Sequence, residues 1–152
     1  MTSTTPSSVR PPALAGTLYP AEAGALTNMV DSCLAQARDN HLATKALIAP
    51  HAGLIYSGPI AGNAYKIIAA RAEEITRVVL LGPPHRVAAP KFCVPAATAF
   101  RRPLGDIPID AEGVAQAMQV PGVEQSDIPH ADEHGLEVHL PFLQLVLGDF
   151  TL

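Results

Sequence analysis

No apolar stretch in the chain approaches the roughly 20 residues that a membrane-spanning helix needs. The N-terminus also lacks the charged and apolar regions of a signal peptide, so the expected location is the cytoplasm. Cysteine is scarce. The two present, Cys33 and Cys93, lie far apart and form no CxxC, which fits a reducing compartment and neither a disulfide framework nor a zinc knuckle. Basic clusters are missing too: nothing exceeds the pair Arg101-Arg102 and the formal net charge is −4, which argues against a nucleic-acid partner.

What is present is a chain of 152 residues with 48% hydrophobic content, enough for one domain with a real core. Its chemistry gathers at two matched stretches. Lys45-Ala46-Leu47-Ile48-Ala49-Pro50-His51-Ala52-Gly53 is an apolar run stopped by proline and closed by histidine, and Arg77-Val78-Val79-Leu80-Leu81-Gly82-Pro83-Pro84-His85-Arg86 repeats the device. Continuous runs of this length suit parallel strands buried on both faces, and proline ends a strand because it cannot donate a ladder hydrogen bond.

Between the runs, Ser57 or Gly58 is suited to cap a helix whose first residue is Pro59, and Ile60, Ala64, Ile67 and Ile68 then form one apolar stripe. Strand, helix, strand crosses over right-handed and sets the carboxyl ends of both strands on one sheet edge, where open α/β sheets bind ligands. That places His51 and His85 together. A lone histidine closing a strand is commonly structural, but two matched neutral imidazoles suit a divalent transition metal. Tyr56 lies where the loop enters the helix, and two readings stand for it: a pocket wall or a packed loop aromatic.

Elsewhere the chain reads more plainly. Residues 1–8 are almost all Ser, Thr and Pro, which predicts a disordered tail. Val9 to Tyr19 reads as an extended arm, and a helix follows from about Ala21 with Leu26, Val30, Cys33, Leu34 and Ala37 on its apolar face. Cys33 is then a small buried hydrophobe, and His41 a solvated loop histidine. Phe92 to Val94 is a brief strand that gives Cys93 a packing role, Asp110 caps a short helix over Ala111 to Gln119, and Pro121-Gly122 is a turn.

The third informative stretch runs from His130 to Phe142. Leu136, Leu140, Leu143 and Leu147 predict a buried helix face beginning near His134, kinked or divided by Pro141, with Asp132 and Glu133 favouring its N-terminus. His130, Glu133, His134, Glu137 and His139 crowd here. The spacing is not that of a zinc-protease helix, which needs histidines four apart, whereas His134 and His139 are five apart. The stretch reads as a capped helix with one or two histidines aimed at the site, and His139 as a surface or interface residue.

These residues carry a family resemblance. Ala49-Pro50-His51-Ala52-Gly53 with Tyr56-Ser57-Gly58-Pro59, then Leu81-Gly82-Pro83-Pro84-His85, then Asp132-Glu133-His134-Gly135-Leu136-Glu137-Val138-His139-Leu140-Pro141-Phe142 resemble in order and spacing the motifs of the Memo family. Gly16-Thr17-Leu18-Tyr19-Pro20 and Phe100-Arg101-Arg102-Pro103-Leu104-Gly105 look like two further family motifs. Bacterial and archaeal members are named AmmeMemoRadiSam system protein B. The family is similar in fold to class III extradiol dioxygenases, which are non-haem iron enzymes. The resemblance implies a three-layer α/β/α sandwich around a mostly parallel sheet, with His51 and His85 as metal ligands and Fe(II) or copper as the metal.

On the same resemblance, His134 has a catalytic or substrate-binding role and Glu133 lines the pocket beside Tyr56. AMMECR-type and radical-SAM proteins are the implied partners. Family members are longer, and their third ligand lies in a downstream half, so residues 9–152 read as the N-terminal part of one domain, incomplete at the C-terminus where Phe150-Thr151-Leu152 would start a new strand. Pro84, Arg86 and Gly135 depart from residues common in the family. Three readings follow: an oxidoreductase resembling the dioxygenases, a metal- or partner-binding module without turnover, and a non-functional fragment. With two ligands, metal binding is expected to be weak.

Overall fold

The computed structural model describes residues 8–39 and 42–152; residues 1–7 of the tail expected over 1–8, and His41, lie outside the described residues. Helix α1 (Ala23–Gln36) forms on the expected apolar face, capped by the Glu22 carboxylate, which accepts from the Gly24 and Ala25 amides. It buries Leu26, Val30 and Cys33. Full burial of a Leu or Val side chain contributes about 1.5–3 kcal/mol each, so this face anchors the helix.

Helix α2 (Leu54–Ala69) begins at Leu54 rather than Pro59, with Gly53 as its N-cap and Pro59 inside it. Pro59 takes away the N–H that would pair with the Ile55 carbonyl. Both residues lie on the exposed face, so the freed carbonyl meets solvent. The buried face also differs from the expected stripe: Ile60 is 63% exposed, while Leu54, Ser57, Gly58, Ala61, Gly62 and Tyr65 are buried. Small size decides this. A Cβ on Gly62 would stand 2.6 Å from the Cys33 carbonyl oxygen, and one on Gly58 2.8 Å from Cys33 Sγ, so glycine lets α2 press against α1.

The architecture is mixed α/β with mostly parallel pairing. Strands β1 (Val9–Arg10), β3 (Ala99–Arg102) and β4 (Gly105–Pro108) form one sheet in the order β1-β3-β4, and β2 (Phe92–Val94) pairs with β5 (Val123–Gln125) in another. The β1–β3 and β2–β5 ladders are parallel and β3–β4 is antiparallel. The expected N-terminal arm therefore enters as a strand, with Val9 opposite Ala99.

The two apolar runs depart from expectation. Residues 45–50 join no ladder, and the second run touches one only at an isolated parallel bridge between Arg77 and Thr151. Both alternate: Leu47, Ala49, Val78 and Leu80 pack on the core, whereas Ile48, Val79 and Leu81 are exposed. Burial on both faces requires cover on both, and among the described residues only one face has it.

Helix α3 (Ala111–Ala117) is capped as expected by Asp110, which accepts from the Gly113 amide at 3.0 Å. The histidine-rich stretch does not start a helix at His134. A short α4 (Ile128–Ala131) is followed by a turn, a 3-10 segment Glu137–His139, and α5 (Leu140–Leu147). Pro141 sits in the first turn of α5, where its missing N–H costs nothing, so it neither kinks nor divides the helix. Leu140 and Leu143 are buried as the stripe required. His139 is buried rather than superficial, at 6% exposure, because the 3-10 turn directs its ring toward Tyr65, 6.0 Å away between centroids.

One buried carboxylate ties the arm to this stretch. Glu137 accepts from Arg10 at 2.6 Å, from the Ala13 and Leu14 amides, and from the Tyr19 hydroxyl at 2.5 Å. Arg102 adds a second guanidinium at 3.5 Å, and the Phe100 ring centre lies 5.1 Å from the Arg10 guanidinium and 5.6 Å from that of Arg102.

Two variants test this account. Gly62→Ala is expected to cost about 1–3 kcal/mol through forced separation of α1 and α2. Glu137→Ala leaves two buried guanidiniums without their anion and is expected to cost about 3–5 kcal/mol. Urea denaturation measures both; an unchanged midpoint for either variant would remove that contact from the account of stability.

Candidate metal centre

Glu133 organises the site. Its Oε1 accepts from His85 Nδ1 at 2.7 Å, from the His134 amide at 2.8 Å and from the Gly135 amide at 2.7 Å, while Oε2 accepts from the His85 amide. Burial alone would raise its pKa, but hydrogen bonds from the His85 backbone and ring, and from the Gly135 and His134 amides, hold it at about 2. The carboxylate is ionised and its oxygens are engaged. With Nδ1 of His85 donating to it, the tautomer is set and Nε2 is left as an acceptor, the arrangement of a metal-binding histidine oriented by a carboxylate.

Three separate segments bring the rings together. His51 follows the first apolar run, His85 the second, and His134 stands in the turn after α4. Ring centroids are 5.2 Å apart for His51 and His85, 4.4 Å for His85 and His134, and 6.0 Å for His51 and His134. Among the described residues, the group whose ligand atoms lie closest is His85, Glu133 and His134, all within 4.8 Å of one another. Gly135 permits this approach, since a Cβ there would meet the Pro83 carbonyl oxygen at 3.2 Å and His85 Cε1 at 3.4 Å. Tyr56 is 78% exposed on α2.

Burial pushes the His134 pKa down; the Glu133 charge opposes this, and His85 and His51 add to it. His139 lies under His51, at 6.2 Å between centroids, and is held at about 4 by burial and then by His51. Its Nδ1 is buried without a hydrogen-bond partner.

Arg10 supports the turn that carries Glu133 and His134. Its Nε donates to the His130 carbonyl at 2.5 Å and its Nη2 to the Glu133 carbonyl at 2.7 Å. Neither Arg10 nor Glu137 is marked by local pattern as a site residue. Their signal lies in the family motifs around Tyr19, Arg102 and Glu137, which turn out to be one buried network.

Comparison with known sequences follows this geometry. The sequence model of the Memo-like protein family matches residues 10–152. The chain belongs to the Memo family. It is 37% identical over 150 residues to a MEMO1 family protein of Methanopyrus kandleri, covering 92% of this chain and 53% of that protein. It is 38% identical over 136 residues to one of Aquifex aeolicus, covering 90% and 49%. Identity to Protein MEMO1 of Xenopus laevis is 33% over 129 residues, covering 84% and 43%. The chain thus spans about half the length of these curated Memo-family relatives. No helix among the described residues is long and apolar enough to cross a membrane.

Acid should remove stability in two stages. His139, ordinarily near 6.5, must stay neutral in the fold, so its contribution is lost as pH falls below 6.5 toward 4. Glu133, ordinarily 4.5, loses its contribution as pH falls below 4.5 toward 2. His139→Leu is expected to shrink the upper stage, to which His134 and His130, also pushed down by burial, contribute the rest, and to leave the lower one, as read by urea denaturation across pH. An upper stage identical to the wild type would show that His139 titrates normally in the folded chain.

Proposed function

We propose that the chain forms the histidine pocket of a Memo-family metalloprotein, with His51 and His85 as metal ligands and His134 beside them as a ligand or a substrate-facing acid–base group. The observation that carries this reading is the convergence of three imidazoles from three segments around an ionised carboxylate that orients one of them. The donor set fits a divalent transition metal, because several imidazole nitrogens are offered at a partly open pocket. Iron(II) or copper is the proposed ion. When bound it would supply Lewis-acid and redox chemistry toward oxygen or a small oxidisable substrate.

The chain's own residues prepare that chemistry. Glu133 holds the His85 ring in one tautomer, and His134, kept from protonation by burial, is ready to take a proton from a bound ligand. Glu133 is therefore proposed as a positioning residue in addition to the pocket-lining role expected for it. Dioxygenase-like turnover, and partnership with AMMECR-type and radical-SAM proteins, remain parts of the proposal that rest on the family resemblance.

Anaerobic titration calorimetry with Fe(II) and Cu(II) tests the pocket. His51→Ala and His85→Ala are each expected to abolish binding, and Glu133→Gln to weaken it by about 10–100-fold. Binding unchanged in both histidine variants would place the metal elsewhere. Oxygen uptake by a metal-loaded full-length relative with catechols or thiols separates turnover from a binding module, for which uptake stays at background.

A further inference from the structure

The turn that presents Glu133 and His134 has little of its own to hold it. It follows α4, a helix of four residues without a side-chain cap, and so short a helix does not sustain its own geometry. The clamp comes from the other end of the chain. Arg10, 7% exposed, donates from Nε to the His130 carbonyl at 2.5 Å, from Nη2 to the Glu133 carbonyl at 2.7 Å and from Nη1 to the Glu137 carboxylate at 2.6 Å. Among the described residues, no other donor reaches the Glu133 carbonyl. None of the three bonds involves a pocket ring.

Two of them nevertheless set the backbone on which the pocket is built. The Glu133 carboxylate meets the His85 ring at 2.7 Å, and the His134 ring stacks on that of His85 at 4.4 Å between centroids. A hydrogen bond of that length is broken by a shift of about 1 Å, so a displaced Glu133 backbone would free the His85 ring and move His134 at the same time. We propose that Arg10 is a positioning residue of the metal centre, its fork on the His130 and Glu133 carbonyls fixing where Glu133 aims the His85 ring and where His134 stands. Its bearing on a metal rests on the reading of His85 as a ligand. The guanidinium has a second, separable task, since its pair with Glu137 ties down the arm. Lysine can serve that pair but not both carbonyls, because an ammonium is a point donor without a rigid planar fork.

Proton NMR of the metal-free chain reads the His85 Nδ1 proton, which a bond to an ionised carboxylate shifts downfield and protects from exchange. Anaerobic calorimetry with Fe(II) reads affinity, and urea denaturation reads the fold. Arg10→Lys is expected to lose or broaden the proton signal and to weaken Fe(II) binding by about 10–100-fold, while still unfolding cooperatively. Arg10→Gln is the second variant: Glu137 keeps Arg102, the Tyr19 hydroxyl and two amides, so the chain has partners enough to fold. Glu137→Gln is the converse, expected to lower the urea midpoint and leave the signal in place. An unchanged signal in folded Arg10→Lys or Arg10→Gln would overturn the proposal, as would equal loss in Glu137→Gln, because the pocket would then follow overall stability. Signal lost in the Arg10 variants, while even the wild-type chain leaves Fe(II) unbound, would uphold the positioning and overturn the metal reading.

Discussion

A carboxylate sealed from water beside two guanidiniums constrains everything around it. Glu137 is 1% exposed, and an anion there is tolerable only with its partners in place: Arg10 from β1, the Tyr19 hydroxyl, and two amides of the arm. Those partners come from the first strand and the turn after it, whereas Glu137 opens the 3-10 segment before α5. The arm cannot be displaced without stranding the charge, so Glu137 ties β1 and the turn after it to the 3-10 segment before α5.

Glu133 uses the same chemistry for another end. Four residues upstream, it too is ionised and saturated with donors, but its donors belong to the histidine segments. Arg10 serves both carboxylates, pairing with the side chain of Glu137 and holding the backbone of Glu133. The arrangement of the rings is therefore an outcome of buried electrostatics on the arm side. The sheet edge alone does not determine it.

Much of this was legible in the sequence, and the exceptions have physical causes. Repeated proline–histidine endings signalled His51 and His85 correctly as neighbours, because local termination patterns survive whether or not the runs find ladder partners. Pairing itself is non-local, so unpaired runs could not be told from buried strands. Pro59 misled the placement of α2, since a proline on a solvent face costs less than the rule for helix interiors assumes. Isoleucines looked like the core stripe, while the real contact is made by Gly58 and Gly62, whose value is in what they lack. His139 was misplaced because a 3-10 turn rotates side chains differently from the helix that the leucine spacing implied.

The separation of Arg10 from its partners has a consequence for how the chain is made. The contacts span 120, 127 and 123 residues. A ribosome delivers the arm well before its anion, so β1 emerges with no counter-charge to dock on, while α1 and α2 can already pair through their glycine contact. Long-range closures of this kind are slow steps in folding. The histidine pocket is consequently assembled only after Glu133 and His134 have emerged, when α1 and α2 can already be in place.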